Sequence, residues 1–409
     1  MSQSTFVTPT YQKYSYCPYL SHLLIMTTLL PVSFFILKYI GLWQPVQWTG
    51  WRAHLYTLFS IFSVIILYTD TGSQVVDALE TSVTVSDYAD HSFILLTMIG
   101  ICIKMGSILK NRKQIIDLVT ALQSGSFQTR NSAEDEVLRE FEYIMKWRTI
   151  LFGIFVQMGT TNLIVRSLIY MAPYRITITK LYLPWDTKTA IGYWTAWLFQ
   201  AISRWFGGPV NVACDSLVSG VMYRASAQFK ILQIRLRDLT KPVASHETKD
   251  DDVKQWETKK MMELVEEHLE IIQIISKLND IFGFVIFMQY CVSSTVLCVT
   301  VFVFAQVTKF DGYAAMMITY TGCLYFQVYL LCSAGSEMAY QSSKFASHVY
   351  ASDWDRLQIS TQKSLLLMMM RSHKPLKFTS FNIIELSIDS FSQIVKFSYS
   401  AYNVLAHGQ

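Results

Sequence analysis

The last apolar stretch of the chain contains side chains that a membrane-spanning helix would normally exclude. Lys396 lies within FSQIVKFSYSAYNVL, residues 391–405, and a charged side chain at the centre of a bilayer costs about 2.5–3.5 kcal/mol on insertion scales. Such residues must face water or protein, because lipid offers no hydrogen-bond partners. Polar residues recur here every three or four positions and stay within about 80° of one another around a helix, forming a polar stripe of Glu385, Asp389, Ser392, Lys396, Ser400, Asn403 and His407.

Two interpretations of this polar stripe are open. In the first, the stripe packs against neighbouring spans and Lys396 is paired with a carboxylate such as Asp389 or Glu337. In the second, the stripe borders an aqueous pathway for ions, where Lys396 is hydrated. One chain with a single such helix cannot easily surround a pore, so the second interpretation requires an oligomer in which each subunit contributes its last span.

Elsewhere the sequence offers little catalytic or metal-binding chemistry. The seven cysteines show no metal-ligand spacing, and His268 has no companion ligand one turn away, which favours a solvated or interface helix. DSLVSG at 215–220 lacks the Gly-x-Ser-x-Gly turn of a serine nucleophile. We therefore expect no enzyme, cofactor or metal. The net charge of +4 is dispersed and gives no reason to expect a nucleic-acid partner.

The composition and the apolar runs indicate a polytopic membrane protein of the all-α class. Only 16% of the 409 residues are charged, against about 25% in soluble proteins. A short run interrupted by Pro31 predicts a re-entrant or interfacial helix over 23–40. Runs of about 20 apolar residues predict seven transmembrane helices, at 52–69, 91–110, 149–170, 190–222, 281–307, 313–334 and 380–406.

The fourth and fifth spans are expected to continue into water as amphipathic helices over 223–282, joined by a polar linker at 241–256. With residues 335–378 they are expected to form one anchor region. Lysines and arginines number 23 in connections 2–3, 4–5 and 6–7 and five in the other connections between spans. This bias predicts a cytoplasmic N-terminus and an extracellular C-terminus, the reverse of a G-protein-coupled receptor. The outer connection after the first span is acidic, from Asp70 to Asp90.

Short motifs fill the final third of the chain. They are the Gly335-Ser-Glu element, Trp354, the Lys374-Pro375 pair, and Phe391, Lys396, Tyr399 and Ser400. Weaker matches extend upstream through GLWQP (41–45), LPWDTKTAIGYWTAWLFQ (183–200) and VEEHLEIIQIISKLNDIF (265–282). In these motifs and their spacing the chain resembles the insect odorant receptor family over nearly its whole length.

The resemblance implies a single-domain subunit of a heterotetrameric, odorant-gated, non-selective cation channel that passes Na, K and Ca. The short 4–5 connection and the YSAY ending resemble those of a tuning subunit. Such a subunit assembles with the shared odorant receptor co-receptor. The implied location is the plasma membrane of the dendrite of an olfactory sensory neuron, where the protein contacts membrane lipid. By position in the motifs, Trp354, Lys374, Pro375, Phe391 and Tyr399 are assigned to subunit assembly.

The resemblance also assigns the last helix, 380–406, to the pore. Val404 stands at the family's hydrophobic constriction, and the polar stripe adds Asn403, His407, Ser400 and Lys396 as pore residues. Two other functions remain as alternatives: a seven-span receptor that signals through a cytoplasmic partner, and a homotetrameric channel resembling the gustatory receptors.

A volatile odorant is small and mostly apolar, so its pocket should be enclosed, aromatic and sparingly polar. The resemblance implies a pocket in the outer half of the bundle, between spans two, three, four and six. Asn162 and Tyr320 could donate a hydrogen bond to a ligand oxygen, although aromatic and methionine residues here could equally serve in packing or at the membrane interface. The candidates are Tyr88, Ser92, Phe93, Met158, Asn162, Tyr193, Trp194, Trp197, Met316, Met317 and Tyr320.

Overall fold

Helices make up almost all of the chain that the computed structural model describes, namely residues 30–45, 48–80, 85–123, 125–244, 250–305, 312–381 and 383–407. The prediction of an all-α protein is confirmed. One two-stranded antiparallel hairpin pairs β1 (Thr379–Ser380) with β2 (Ile384–Glu385). Ten α-helices lie within the described residues: α1 (Pro31–Tyr39), α2 (Trp51–Glu80), α3 (Val85–Lys110), α4 (Arg112–Ala121), α5 (Ser132–Arg166), α6 (Ala190–Ala244), α7 (Asp250–Ala305), α8 (Gly312–Tyr350), α9 (Ile359–Ser372) and α10 (Ile388–His407).

A helix lies in each of the seven predicted spans, although the last helix covers only part of its span. Among the described residues, five are long and apolar enough to cross a membrane: α2, α3, α5 with the turns that follow it, α7 and α8. The helices of the other two predicted spans, α6 and α10, do not meet these criteria of length and composition, because polar residues lie inside their apolar stretches. For α6 the reason is its position, because it packs against α1, α2, α3, α5, α7 and α8.

Burial explains why α6 tolerates polar residues. Every side chain from Asn211 to Phe229 is buried. Side chains shielded from lipid do not need to be apolar, provided that neighbouring helices satisfy their hydrogen bonds. Over residues 211–229 α6 is therefore the central helix of the bundle, whereas its first turns expose apolar side chains such as Leu198 and Trp205.

The last helix begins later than predicted. α10 starts at Ile388 rather than near residue 380, because the β1–β2 hairpin occupies the preceding residues. Glu385 consequently belongs to the hairpin and not to the polar stripe of the helix, and it forms an ion pair with Lys377 (Nζ to Oε1, 2.8 Å).

The Gly335-Ser-Glu element explains how the start of α10 is fixed. A Cβ at Gly335 would lie 2.2 Å from the carbonyl oxygen of Leu386, so glycine is required for the hairpin to pack on α8. The next residue, Ser336, accepts a hydrogen bond from the N–H of Ile388 (2.8 Å). This bond satisfies one of the N–H groups that a helix start leaves without a partner.

Two other predicted boundaries are corrected. α7 begins at Asp250, so the part of the predicted 241–256 linker after that residue is helical, and residues 245–249 lie outside the described chain. Within the predicted 23–40 helix, Pro31 begins α1 rather than interrupting it, since proline lacks only an N–H that has no partner in a first turn. Residues 23–29 are also outside the described chain.

The extensions of α6 and α7 pack with the end of α8 and with α9 in one apolar cluster, which we call the extended end. Its buried members include Leu236, Leu264, Phe345 and Leu365. Beside this cluster Arg235 bridges Glu134 and Glu267, with each of its two nitrogens 2.7 Å from a carboxylate oxygen. The segments predicted to form the anchor region therefore contact one another.

His268 lies in this extended end, before the span predicted at 281–307, and is buried rather than solvated. Its ring stacks on Phe345 at 5.6 Å and meets Phe229 edge-on at 6.0 Å. Burial, aided by the positive charge of Arg371, lowers the pKa of His268 to about 4. The folded protein therefore keeps this histidine neutral at pH 7.

We predict that acid destabilises the protein through His268. Between pH 6.5 and 4 the unfolded chain binds a proton at this residue that the folded chain does not, so the free energy of unfolding falls as pH falls, by at most about 3 kcal/mol. Thermal melts of the detergent-purified protein across this window should show a shallower slope for His268→Gln. Parallel slopes for the two proteins would contradict the prediction.

Candidate ligand-binding site

A cavity of about 120 Å³ lies inside the bundle between α3, α5, α6 and α8. In another protein a cavity of about 150 Å³ lined by apolar side chains binds benzene, so this one suits a small ligand. Its walls are mainly apolar, and each helix contributes residues from one face, at spacings of three, four or seven. The lining residues are Phe93, Ile94, Thr97, Met98, Ile101, Phe152, Val156, Gly159, Thr160, Leu163, Arg204, Gly208, Asn211, Met316, Tyr320, Cys323, Leu324 and Gln327.

Gly208 allows α5 to approach α6 beside the cavity. A Cβ at this position would lie 2.9 Å from Oε1 of Gln157 and 3.0 Å from Cγ1 of Val156. Contacts this close require the neighbours to move, so any larger residue at Gly208 would separate the two helices or fill part of the cavity.

Three of the predicted pocket residues line this cavity: Phe93, Met316 and Tyr320. The rings of Phe93 and Tyr320 are 5.1 Å apart. The hydroxyl of Tyr320 lies 2.5 Å from that of Thr97 and 3.2 Å from the carbonyl oxygen of Phe93. Its hydrogen bonds are therefore made within the protein, whereas we expected it to serve a ligand.

The remaining candidates do not line the cavity. The face of α5 that lines the cavity carries Phe152, Val156 and Leu163. Met158 lies on another face of the helix and is 57% exposed. Asn162 is half-buried and does not line the cavity either. Ser92 is half-buried and Met317 is buried in the core. The side chain of Tyr88 is outside the described part of the structure.

The aromatic residues at the start of α6 form a separate group. Tyr193 and Trp197 pack with Ile178, and the indole N–H of Trp197 donates to Oγ of Ser167 (3.0 Å). Trp194 is exposed. These residues precede Arg204, the first residue of α6 in the cavity lining, and none of them lines the cavity.

Two buried ion pairs beside the cavity were missed by reasoning from the sequence. In the first, Nη1 of Arg204 lies 2.8 Å from Oδ2 of Asp70, which also accepts hydrogen bonds from Ser203 and Gln74. Asp70 was expected in an acidic outer loop, but it lies on α2 and is completely buried. That part of the loop prediction is wrong.

The second ion pair joins α3 to α6. Nζ of Lys104 lies 2.7 Å from Oδ1 of Asp215 and donates to Oδ1 of Asn211 at 2.6 Å. Gln327 of α8 donates to the same two residues, at 3.0 Å to Asn211 and 2.5 Å to Asp215. Lys104 was counted with an inner connection, yet it is buried within the bundle. Arg204, Asn211 and Asp215 are separated by seven and four residues, which places them on one face of α6. This polar spacing within an apolar stretch is visible in the sequence.

The predicted pore helix α10 packs on α7 and α8 and presents its polar stripe away from them. Ile394 and Ser398 are buried, whereas Lys396 and Ser400 are exposed and Asn403 is half-buried. Among the described residues Lys396 forms no ion pair, so the predicted pairing with Asp389 or Glu337 is not found. The side chains of Val404 and His407 are outside the described part of the structure.

The predicted assembly residues divide into two groups. Phe391 packs inside the subunit, with its ring 5.8 Å from that of Tyr329, and Trp354 packs against the apolar cluster of the extended end. Lys374 and Tyr399 are exposed, and Pro375 is half-buried.

We predict that losing one partner of the buried Lys104–Asp215 pair destabilises the fold far more than losing both partners. Asp215→Ala leaves a buried ammonium group without its carboxylate, which should cost about 3–5 kcal/mol. The double variant Lys104→Met/Asp215→Leu removes both charges and should recover most of that stability. Thermal unfolding in detergent measures both effects, and equal melting temperatures for the single and double variants would contradict the prediction.

Comparison with known proteins agrees with the arrangement of helices. The family model described as 7tm Odorant receptor matches residues 84–399, most of the chain. Odorant receptor Or1 of Anopheles gambiae is 23% identical over 395 residues, which cover 90% of this chain and 93% of that protein. Odorant receptor 10 of Aedes albopictus is 24% identical over 219 residues, covering 52% of this chain and 55% of that protein.

The fold is also similar to a solved structure, that of the insect olfactory receptor OR5 from Machilis hrabei in complex with eugenol. The TM-score is 0.81 at 12% identity, and the match covers 95% of this chain and 100% of that chain. At this identity the likeness concerns the fold, that of a helical membrane protein. Since the family model spans most of its length, this chain belongs to the insect odorant receptor family and is a multi-pass membrane receptor rather than an enzyme.

Proposed function

We propose that this receptor is the odorant-binding subunit of an odorant-gated, non-selective cation channel. The observation that carries the proposal is that one helix, α8, forms a wall of the cavity and also contacts α10, the helix with the exposed polar stripe. Tyr320 and Gln327 of α8 line the cavity. On α8, Tyr325 hydrogen-bonds Ser398 of α10 (3.1 Å), so a ligand in the cavity acts on a helix that contacts α10.

In this proposal α10 lines the pore of a tetramer. The exposed stripe of Lys396 and Ser400 faces the aqueous pathway together with Asn403 and His407, and Val404 forms the constriction. A single subunit covers only one face of α10, so the other subunits complete the pathway. Na, K and Ca are the expected permeating ions.

The expected partner is the odorant receptor co-receptor, with Lys374 and Tyr399 exposed for subunit contacts and Trp354, Pro375 and Phe391 supporting them from within. Small volatile compounds are the expected ligands, in agreement with the cavity volume of about 120 Å³ and with the eugenol complex of the structural relative. The proposed location is the plasma membrane of the olfactory neuron dendrite.

The decisive experiment is a patch recording. Cells that express this chain with the co-receptor should give odorant-evoked cation current in excised, nucleotide-free patches. Absence of current across a broad odorant panel, despite surface expression, would contradict the proposal. Responses that require nucleotide would support signalling through a cytoplasmic partner, and full currents from this chain alone would support a homotetramer.

Val404 provides a test of the pore assignment. Val404→Ala should widen an apolar constriction and increase current in the absence of odorant, about twofold or more. Val395→Ala is the matched control, because it makes the same chemical change at a half-buried position of α10. Whole-cell recordings normalised to surface expression measure the effect, and identical basal currents for both variants would argue against a pore role for Val404.

Lys396 provides a second test. If Lys396 borders the pathway, Lys396→Gln removes a positive charge that repels cations, and single-channel conductance should rise by about 1.2-fold to 2-fold at low salt. Lys363→Gln, which alters an exposed lysine on α9, is the control and should leave conductance unchanged. Unaltered conductance in Lys396→Gln would place this lysine outside the pathway.

A further inference from the structure

The cavity contains an amide donor whose direction is fixed by the Lys104–Asp215 pair. Oδ1 of Asn211 accepts hydrogen bonds from Nζ of Lys104 (2.6 Å) and from Nε2 of Gln327 (3.0 Å). Lysine can only donate, so the Asn211 atom beside it must be the oxygen. The NH₂ group of Asn211 therefore points to the other side, and Asn211 lines the cavity.

Most of the other polar groups of the cavity wall use their protons within the protein, although Nε of Arg204, which also lines the cavity, has no hydrogen-bond partner among the described residues. The hydroxyls of Thr97 and Thr160 donate to backbone carbonyls four residues earlier, at 2.8 and 3.0 Å. The hydroxyl of Tyr320 is bonded to Thr97 and Phe93, and the thiol of Cys323 donates to the carbonyl of Phe155 (3.2 Å). Asn211 is thus a neutral donor whose direction is fixed by its contacts with Lys104 and Gln327.

The charges around the cavity are balanced. Arg204 is paired with Asp70, and Lys104 with Asp215, at 2.8 and 2.7 Å. Of the described residues that line the cavity only Arg204 is charged, and its charge is paired with Asp70, so this lining favours an uncharged ligand.

We infer that the cavity selects small, uncharged ligands that carry a carbonyl oxygen, and that Asn211 donates the hydrogen bond that recognises it. The inference rests on the proposed function, in that this cavity is the odorant site. The ammonium of Lys104 polarises the amide and holds it in place, so the donor is oriented before the ligand arrives. Asn211 is therefore a specificity-determining residue, and Lys104 a positioning residue.

The experiment compares ligands that share a shape and differ in the carbonyl. Acetophenone and ethylbenzene form one pair, and 2-heptanone and heptane form a second pair of the same kind. Binding to the purified full-length receptor is measured by thermal stabilisation in detergent, independently of channel activity. The ketones should bind about threefold to tenfold more tightly than their hydrocarbons, which is the range expected for one hydrogen bond.

Asn211→Leu should abolish this preference. If the leucine variant does not fold, Asn211→Asp provides the same test, because aspartate keeps the acceptor for Lys104 and removes the amide donor. Thr160→Val, which alters another polar residue of the wall, should keep the preference. Equal binding within each pair by the wild type, a preserved preference in the Asn211 variants, or no stabilisation by either ketone would overturn the inference. Selective ketone binding without any odorant-evoked current would instead overturn the proposed channel function alone.

Discussion

α6 runs through the centre of the bundle, and its buried charges must find partners on the surrounding helices. Arg204 and Asp215 would each be costly without a counter-charge, and Asp70 of α2 and Lys104 of α3 supply them at 2.8 and 2.7 Å. Each pair fixes the height and rotation of a neighbouring helix relative to α6. Because α3 and α6 are also two walls of the cavity, the shape of the cavity depends on ion pairs in its wall, at Arg204, and just behind it, at Lys104 and Asp215.

The same arrangement connects the cavity to the last helix. α8 contributes Gln327 to the Lys104–Asp215 network and holds α10 at two levels, through Ser336 at its first residue and through Tyr325 further along. Packed helices move by small sliding displacements rather than by bending. A shift of α8 caused by a ligand would therefore displace α10 as a unit, as the proposed opening of a pore at α10 would require.

The sequence predicted the spans, the amphipathic last helix and three cavity residues, because apolar length and helical period are local properties. The sequence analysis placed Lys104 and Asp70 in connections between spans. A charged residue near the end of an apolar run indicates the end of a transmembrane helix when the residue that neutralises it is far away in the sequence. Met158 was predicted to line the pocket but lies on a different face of α5. Which face of α5 lines the cavity depends on the neighbouring helices that α5 contacts. The role of Gly335 depends on a backbone contact with Leu386, which no local pattern encodes.

The polar stripe also limits how the receptor can exist in a membrane. α10 is covered by α7 and α8 on the face of Ile394 and Ser398, while Lys396 and Ser400 remain exposed. Lipid cannot satisfy these groups, so water or protein must cover them. Phe397 and Tyr399, exposed by 62% and 64%, flank the stripe on either side of Lys396 and suit contact with neighbouring subunits. In the proposed channel the aromatic flanks would face neighbouring subunits and the polar centre would face water, which is the division of surface that a helix in a pore wall needs.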